Sequence, residues 1–452
     1  MDNIYFELTS TPLTSHTGLA FVGQALNETK LANHINSLCS KPRNKSYISH
    51  LDTAKTMIGL LCVGKPHFDS IVEYRDEPWF TTALGLDKLP SPETLRQRIE
   101  QFSPKMSQVW RDFTVRQLSA RPELLGEKIH DKTWSVIHCD VSPLDNSDTK
   151  KEGVSWTYKK FDGYAPMFGY IGPYGLMLNN ELRPGSAHSN TSGTPDWFEQ
   201  TLKMAERITT YPRLIVTDSG NDSAENIRLF TAQKDTDFVV KCNLRNQDVG
   251  EWLEIAQQQT GEEEGERVDI GARAWYGQRE LQLASKNGDK ADPKTCRVVF
   301  RAVERFAHSD GQFISPAIIT IDAYWTSLDW TPKQVHEFYK KRGTSEQYHS
   351  ELKSDMDVER LPSGKFDVNQ KVLDMAMVAY NLLRTMGQSM LQSGLVPGRK
   401  ARSKRLRLRT VMQNLMYMAG QLIRHARSTI LRIFKGHGWA GPVLALTRPP
   451  DR

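Results

Sequence analysis

Apolar residues recur at helical spacing through residues 15–125, where Gly and Pro mark the breaks between successive patterns. The stretch 50–64 is apolar on one face and ends at a glycine, and 91–102 begins with Ser followed by Pro, which is typical of a helix start. The pattern predicts a helical region over residues 1–128. A helix-turn-helix arrangement and an ordinary small helical bundle both fit it.

From residue 129 onward, short runs of β-branched residues alternate with helical patterns. The runs 133–143 and 213–217 predict strands, and 167–185 predicts a hairpin with GPYG at its turn. We therefore expect an α/β core whose first part covers residues 129–244. Functional groups are expected at the ends of its strands.

Three further segments complete the predicted organisation. Alternating apolar residues predict a mostly β insertion subdomain over 245–330, with an acidic loop at 260–269. Helical patterns resume over 331–390, which is expected to form the second part of the core. Residues 391–452 predict a basic helical C-terminal region, because apolar residues recur at helical spacing over 410–434.

The composition predicts a soluble globular protein of several domains, since 38% of the 452 residues are hydrophobic and 25% are charged. No stretch of 18 uninterrupted apolar residues occurs, so we expect no membrane span. The first residues lack a basic start followed by an apolar run, so no secretory signal is expected. The five scattered cysteines predict neither a disulfide framework nor a zinc site, and they favour a reducing cytoplasm.

The net charge of +6 conceals an uneven distribution. The segment 375–450 contains 13 Lys and Arg and no acidic residue, so a basic tail follows a mildly acidic body. Seven of these cations fall within 398–410, and such a run favours salt-sensitive binding to a polyanion. A solvated tail is the alternative. The candidate nucleic-acid contacts in this run are Arg399, Lys400, Arg402, Lys404 and Arg405.

Three acidic residues stand where a metal site would need them. Asp140 and Asp218 each end a predicted strand, and Glu346 lies on a predicted helix. Mg²⁺ prefers carboxylate oxygens, and a pair of such ions serves phosphodiester chemistry. Each aspartate taken alone is also compatible with an ordinary turn or cap residue.

The helix that carries Glu346 has an unusual polar stripe. Tyr339, Arg342, Glu346 and Lys353 fall within about 60° of one another on a wheel of 100° per residue. A guanidinium, an amine and a phenol beside a carboxylate suit a metal-bound phosphate. The alternative is an exposed helix in which Arg342 and Glu346 form an i,i+4 ion pair.

Four segments together resemble the DDE transposases of bacterial insertion sequences, in the insertion sequence 4-like group marked by a Y-R-E-K helix. These segments are HCDVSP, ELRPGSAHSN, LIVTDSGNDS and YKKRGTSEQYHSELK. The resemblance covers most of residues 130–390. It implies an α/β fold with an RNase H-like catalytic core and a β insertion between the second aspartate and the glutamate.

The resemblance also implies roles for individual residues. Asp140, Asp218 and Glu346 would be the catalytic, metal-binding triad, and Tyr339, Arg342 and Lys353 would hold DNA phosphates. The implied cofactor is Mg²⁺, with Mn²⁺ as the alternative.

The implied reaction is cut-and-paste transposition in a bacterial cytoplasm, in association with the nucleoid. The partners would be the inverted repeats at the transposon ends and the target DNA. Two ends must be joined, so we expect a DNA-dependent homodimer and no membrane partner. Two other functions stay open: a catalytically inactive, domesticated DNA-binding protein, and an RNase H-like nuclease without strand transfer.

Several nearby residues compete with these assignments. Four acids lie close to the proposed triad, of which Asp222 is the strongest rival for the second position; they are Asp145, Asp148, Asp222 and Glu351. Some relatives hold a flipped base on a tryptophan of the insertion, for which Trp325 and Trp330 are the candidates, although core packing is the favoured role of both.

Overall fold

The computed structural model describes residues 4–5, 7–38, 48–245, 247–261, 265–283, 294–308, 311–425 and 428–447. Part of the predicted acidic loop, at 262–264, and Cys39 lie outside these ranges. The four cysteines within them are buried and unpaired. No helix in the described ranges, including the longest at 27 residues, is long and apolar enough to cross a bilayer.

The strands of the described ranges fall into one large sheet and two small ones. They are β1 (Leu13–Thr14), β2 (Glu127–Ile129), β3 (Lys132–Val141), β4 (Leu144–Asp145), β5 (Ser155–Trp156), β6 (Asp162–Tyr164), β7 (Met167–Ile171), β8 (Leu176–Glu181), β9 (Arg213–Thr217), β10 (Thr236–Lys241), β11 (Glu266–Asp269), β12 (Ala272–Gln282), β13 (Thr295–Ala307), β14 (Phe313–Thr326), β15 (Gly420–His425) and β16 (Ser428–Ile433).

The α-helices of the same ranges are α1 (Leu19–Leu26), α2 (Thr29–Ser37), α3 (His50–Cys62), α4 (Pro78–Leu84), α5 (Pro92–Glu100), α6 (Met106–Ser119), α7 (Thr194–Ile208), α8 (Ala224–Thr231), α9 (Val249–Thr260), α10 (Pro332–Lys340), α11 (Thr344–Ser350), α12 (Phe366–Gln392), α13 (Leu408–Val411) and α14 (Ala440–Ala445). A 3₁₀ turn, Lys341–Gly343, joins α10 to α11, and a π-helical turn, Glu351–Asp355, follows α11.

The large sheet is mixed and has the strand order β11-β12-β13-β14-β10-β9-β3-β7-β8, with β2 beside β3. Strands β3, β9 and β10 are parallel, and their neighbours run antiparallel. Both faces of these central strands are covered. Ile137 and Ile215 face the core that includes α7 and α8, whereas Val136 and Leu214 face Val335 of α10. Burial on both faces explains why these strands read as nearly continuous apolar runs.

The β-rich segment between residues 245 and 330 extends the large sheet instead of forming a sheet of its own. Strand β14 pairs antiparallel with β10, so β11–β14 continue the core sheet outward. The segment also contains α9, which packs against β12. The alternating pattern predicted strands, but it carries no information on which strand they would join.

The N-terminal helices pack around α12. Almost every residue of α3 is buried, and α3, α5 and α6 all contact α12. The start of α5 is as expected, because the Ser91 hydroxyl accepts a hydrogen bond from the amide of Thr94 at 3.2 Å and Pro92 occupies the first helical turn. The exposed polar residues of α5 are engaged locally, since Glu93 accepts hydrogen bonds from Arg96 and Gln97.

The prediction of a helical C-terminal region is wrong for residues 420–425 and 428–433. These residues form the antiparallel strands β15 and β16, and β15 also pairs with β1 near the N-terminus. The helical pattern ends at the π-helical turn Met412–Met416, shortly before Gly420. Leu422 and Ile430 then follow a strand pattern that a short apolar run does not distinguish from a helix.

A buried carboxyl on α12 generates a pH-dependent prediction. Asp374 is 2% exposed and accepts hydrogen bonds from Ser107 and Gln370. Burial raises its pKa from 3.8 to about 6. The folded state therefore binds this proton more tightly than the unfolded state, and stability decreases as the pH rises from about 4 to 6.

We expect Asp374→Asn to raise the free energy of unfolding by about 2–3 kcal/mol at about pH 8, because no charge is then buried. The gain should vanish at about pH 4, where the native carboxyl is protonated. Urea unfolding at both pH values measures it. Asp367→Asn, a change at a 69% exposed position of the same helix, is the control. Equal gains at both pH values would contradict the assignment.

Candidate active site at the ends of β3 and β9

Asp140 and Asp218 lie next to each other because β3 and β9 are parallel and in register. Cys139 of β3 pairs with Thr217 of β9, and each aspartate is the next residue in its own strand direction. Neighbouring strands lie about 4.8 Å apart, so the two carboxylates extend from one sheet edge. The predicted pairing of these two acids is present in the fold.

Glu346 approaches the same edge from another element. It lies in the first turn of α11 and is exposed, and it lines a cleft of about 390 Å³ together with Asp140. The sequence pattern predicts a single continuous helix here, but the 3₁₀ turn 341–343 divides it into α10 and α11. A helical wheel of 100° per residue therefore does not describe the side-chain directions across this turn. Arg342 and Glu346 nevertheless line the same cleft.

Arg342 connects the helix to both strands. Its Nη2 atom lies 2.9 Å from Oδ2 of Asp140, and its Nη1 donates to the Tyr339 hydroxyl at 3.0 Å. The Tyr339 hydroxyl in turn donates to the carbonyl oxygen of Thr217 at 3.3 Å. Arg342 thus pairs with the first aspartate, and not with Glu346 as the alternative of an exposed helix with i,i+4 ion pairs would have it. Both Tyr339 and Arg342 stand at the predicted site.

Lys353 reaches the same strand from the π-helical turn. Its ammonium donates a hydrogen bond to the carbonyl oxygen of Pro143, which follows the end of β3. Burial lowers the pKa of Lys353, and the charge of Glu359 opposes that effect. The amine of Lys353 therefore lies near β3, the strand of Asp140, and is partly desolvated. This position is compatible with contact to a phosphate.

The electrostatics of the edge favour an additional cation. Burial raises the pKa of Asp140, Arg342 lowers it, and the charges of Asp218 and Glu346 raise it again. The carboxylate oxygens match the preference of Mg²⁺, and a divalent ion would relieve the repulsion between the acids. Within the described residues, however, no three His, Cys, Asp or Glu form a ready group around one ion. The carboxylates are of the type that Mg²⁺ prefers as ligands. One of them, that of Asp140, pairs with Arg342 in this structure.

The competing acids have structural partners. Asp222 accepts from Nε1 of Trp325 at 2.9 Å and from the amide of Asn243 at 2.7 Å, so it ties β14 to the end of β10. Asp145 accepts from the amide of Ser147 in a turn. Asp148 is a turn residue with a positive φ of 61°. Hydrogen bonds to the protein thus engage Asp222 and Asp145, the rivals on either side of the proposed pair of aspartates.

The two candidate tryptophans are core residues. Trp325 and Trp330 are each 8% exposed. The ring of Trp330 packs edge-on against Trp134, with 6.2 Å between centroids, and against Phe338. Neither indole is presented to a base in this structure, in agreement with the packing role that the sequence favoured.

Glu351 anchors the basic run to the glutamate helix. It is 1% exposed, pairs with Arg384 of α12 at 2.7 Å and with Arg405, and accepts from the amide of Leu408 at 2.8 Å. The guanidinium of Arg405 is engaged by this buried carboxylate, and its predicted contact with DNA stays a prediction. Arg399, Lys400, Arg402 and Lys404 are exposed, as a DNA contact requires.

A second acid of the same turn repeats this arrangement. Asp355 pairs with Arg407 at 2.8 Å and with Arg409 at 3.4 Å. The segment Arg405–Arg409 thus runs along the turn 351–355 as a strap, and we call it the basic strap. Sequence reasoning missed this role, because ion pairs between residues about 50 positions apart leave no local pattern.

A comparison with known protein families identifies the family of the chain. The chain matches the model of the family described as Transposase DDE domain group 1 over residues 2–446, and it belongs to that family. It is therefore a DNA transposase, an enzyme of divalent-metal-dependent DDE chemistry.

No curated protein matches the chain. Among solved structures it is similar to a piggyBac transposase synaptic complex with hairpin DNA. The identity is 12% and the TM-score 0.41, over 91% of this chain and 82% of that chain.

The buried ion pair at Glu351 generates a stability prediction. Arg384→Met removes one of its two cationic partners, and we expect a loss of about 3 kcal/mol or more in the free energy of unfolding, because a carboxylate is left partly uncompensated. Arg409→Met, at a side chain 56% exposed, should cost less than about 1 kcal/mol. Denaturant unfolding compares the two. Equal losses would show that the Glu351 cluster is not an anchor.

Proposed function

We propose that Asp140, Asp218 and Glu346 are the catalytic triad of a cut-and-paste transposase of the insertion sequence 4-like, Y-R-E-K group. The observation that carries the assignment is the β3–β9 register, which sets two acids side by side at one sheet edge. The shared cleft with Glu346 supports the third member. The proposal includes an RNase H-like core formed by β3, β7–β10 and the helices packed on them.

The three acids would hold Mg²⁺, with Mn²⁺ as a substitute. When bound, the metal would supply an activated attacking oxygen and charge neutralisation at the scissile phosphate. The contribution of the chain is positioning, because phosphoryl transfer needs no covalent enzyme intermediate. Cleavage at each transposon end frees a 3′-hydroxyl, which then attacks a phosphodiester of the target DNA.

Arg342, Tyr339 and Lys353 would hold the DNA backbone beside the acids. The Arg342 guanidinium presents a planar fork that suits two phosphate oxygens, and it stands 2.9 Å from Asp140. A phosphate and a metal ion would together compensate the two charges that now pair with each other. The exposed cations Arg399, Lys400, Arg402 and Lys404 extend this DNA-binding surface.

Joining two transposon ends requires two active sites, so the proposed functional form is a homodimer assembled on DNA. The transposon inverted repeats and the target are the DNA partners. The N-terminal helical region 1–128 and the C-terminal region 391–452 would contribute to end recognition. A bacterial cytoplasm, with association to the nucleoid, is the proposed location.

Matched aspartate variants test the assignment of the second acid. Asp218→Asn should reduce Mg²⁺-dependent cleavage of labelled transposon ends by about a thousandfold or more, because a metal ligand loses its charge. Asp222→Asn keeps the shape of the side chain but leaves one acceptor oxygen for two donors, Nε1 of Trp325 and the amide of Asn243, so it should keep cleavage within about tenfold while lowering stability. Cleavage assays and thermal unfolding of both proteins give the comparison.

The opposite ranking, with cleavage lost in the Asp222 variant alone, would assign the second position to Asp222. The same assay separates the other functions. A product joined to a target plasmid excludes a nuclease without strand transfer. Cleavage that depends on Asp140 and Glu346 excludes an inactive DNA-binding protein.

A further inference from the structure

A second and larger cleft adjoins the proposed active site. It measures about 830 Å³, within the range of about 300–1,000 Å³ that is usual for ligand sites. Its walls are the β2–β3 hairpin, the turn 172–174, and the residues where α10 passes into the 3₁₀ turn. We call it the hairpin cleft.

The hairpin cleft follows the strand that carries Asp140. Val136 and His138 line it, and successive side chains of a strand alternate between faces, so both share the face of Asp140. Val136 and Asp140 are four residues apart, which is about 13 Å along a strand. Arg342 lines this cleft and also the cleft that holds Asp140 and Glu346. The two clefts therefore share Arg342 as a wall residue.

The charges of the hairpin cleft favour an anion. Four cationic side chains line it, from three different parts of the chain, namely Lys128, Lys341, Arg342 and Lys404. Two acids oppose them, Glu127 and Glu337. The cleft thus has an excess of two positive charges and lies beside the sheet edge that carries Asp140. This arrangement suits a phosphodiester chain better than a single small anion.

Two buried polar atoms in the cleft wall have no protein partner among the described residues. They are Nδ1 of His138 and Nε of Arg342. Buried polar atoms are nearly always hydrogen-bonded, so unpartnered ones indicate a missing ligand or water. The Arg342 Nε–H is a charged donor, for which a phosphate oxygen is a suitable acceptor.

Aromatic groups lie among the cations. Tyr174 is half-buried at the turn, and His130 is exposed at the tip of the β2–β3 hairpin, where its ring packs edge-on against Trp330 at 4.7 Å. Sites for single-stranded nucleic acid typically combine cations placed along the path of the phosphate backbone with aromatic rings on which the bases stack. The bases of a duplex are already stacked on one another and are therefore less available to stack on such rings.

The basic strap holds one of these cations at the cleft. Arg405 pairs with Glu351, and its guanidinium lies 4.8 Å from the ring centroid of Tyr348, another residue of the cleft wall. Lys404 is the preceding residue, so the anchoring of Arg405 fixes the position of its backbone. The exposed ammonium of Lys404 is thereby directed to the cleft that it lines.

We propose that the hairpin cleft binds a single-stranded segment of the DNA substrate and leads its backbone past Arg342 to Asp140. This inference rests on the proposed function, and it adds a strand path that the triad alone does not specify. The backbone contacts are Lys128, Lys341, Arg342 and Lys404, and the stacking contacts are His130 and Tyr174.

The test is a binding measurement on the full chain without divalent metal. Fluorescence anisotropy is recorded with a labelled single-stranded 15-mer of mixed sequence and with the corresponding blunt duplex, over a series of salt concentrations. The variant is Lys128→Ala combined with Lys404→Ala, both at exposed positions. The control is Lys88→Ala combined with Lys203→Ala, which removes equal charge outside the cleft.

We expect the variant to bind the single strand about tenfold more weakly at low salt, with the slope of log affinity against log salt reduced by about 1.4 for two lost contacts. The control should match the native chain in both quantities. Thermal unfolding checks that both double variants remain folded. An unchanged affinity and slope, or an equal change in the control, would overturn the proposal. An equal loss for the duplex would overturn the single-strand assignment.

A further variant separates this inference from the triad. Asp140→Asn should abolish cleavage but should not weaken single-strand binding without metal, since it removes no cation from the hairpin cleft and releases Arg342 from its ion pair. If cleavage proved independent of Asp218 while the lysine pair still controlled binding, the triad would fail and the strand path would stand. The reverse result, in which cleavage requires the triad but single-strand binding does not require Lys128 and Lys404, would refute the strand path and leave the triad in place.

Discussion

The parallel pairing of β3 with β9 is the constraint on which the proposed site depends. It sets Asp140 and Asp218 side by side, and both faces of the two strands are covered by apolar cores. A slip of one residue would turn Asp140 to the opposite face and expose buried side chains, so the register is strongly specified. The position of the two acids is therefore a consequence of core packing.

Charge balance supplies the next constraint. Arg342 pairs with Asp140, while Glu351 and Asp355 pair with the basic strap. The helix of Glu346 is thus attached to the aspartate strand at one end and to the C-terminal cations at the other. The exposed part of the basic run remains available to DNA, and its anchored part positions the active-site helix. One cationic segment serves two purposes because the cations of its first part, 399–404, are exposed and those of its second part, 405–409, pair with the turn 351–355.

Much of the site could be predicted from the sequence because its signals are local. Asp140 and Asp218 each close an apolar run, and Glu346 lies in a recognisable helix. The strand pair β15–β16 and the partner of Arg405 were missed for the same reason: each depends on residues far away in the chain. The break in the helix at 341–343 was also missed, since the pattern of side chains does not reveal a tightened turn.

The most direct test of the central claim is anomalous diffraction from crystals soaked in Mn²⁺. We expect a manganese peak within about 2.3 Å of carboxylate oxygens of both Asp140 and Asp218, with the Arg342 guanidinium displaced from Asp140. A peak at Asp222, or manganese bound only at sites away from the β3–β9 edge, would contradict it.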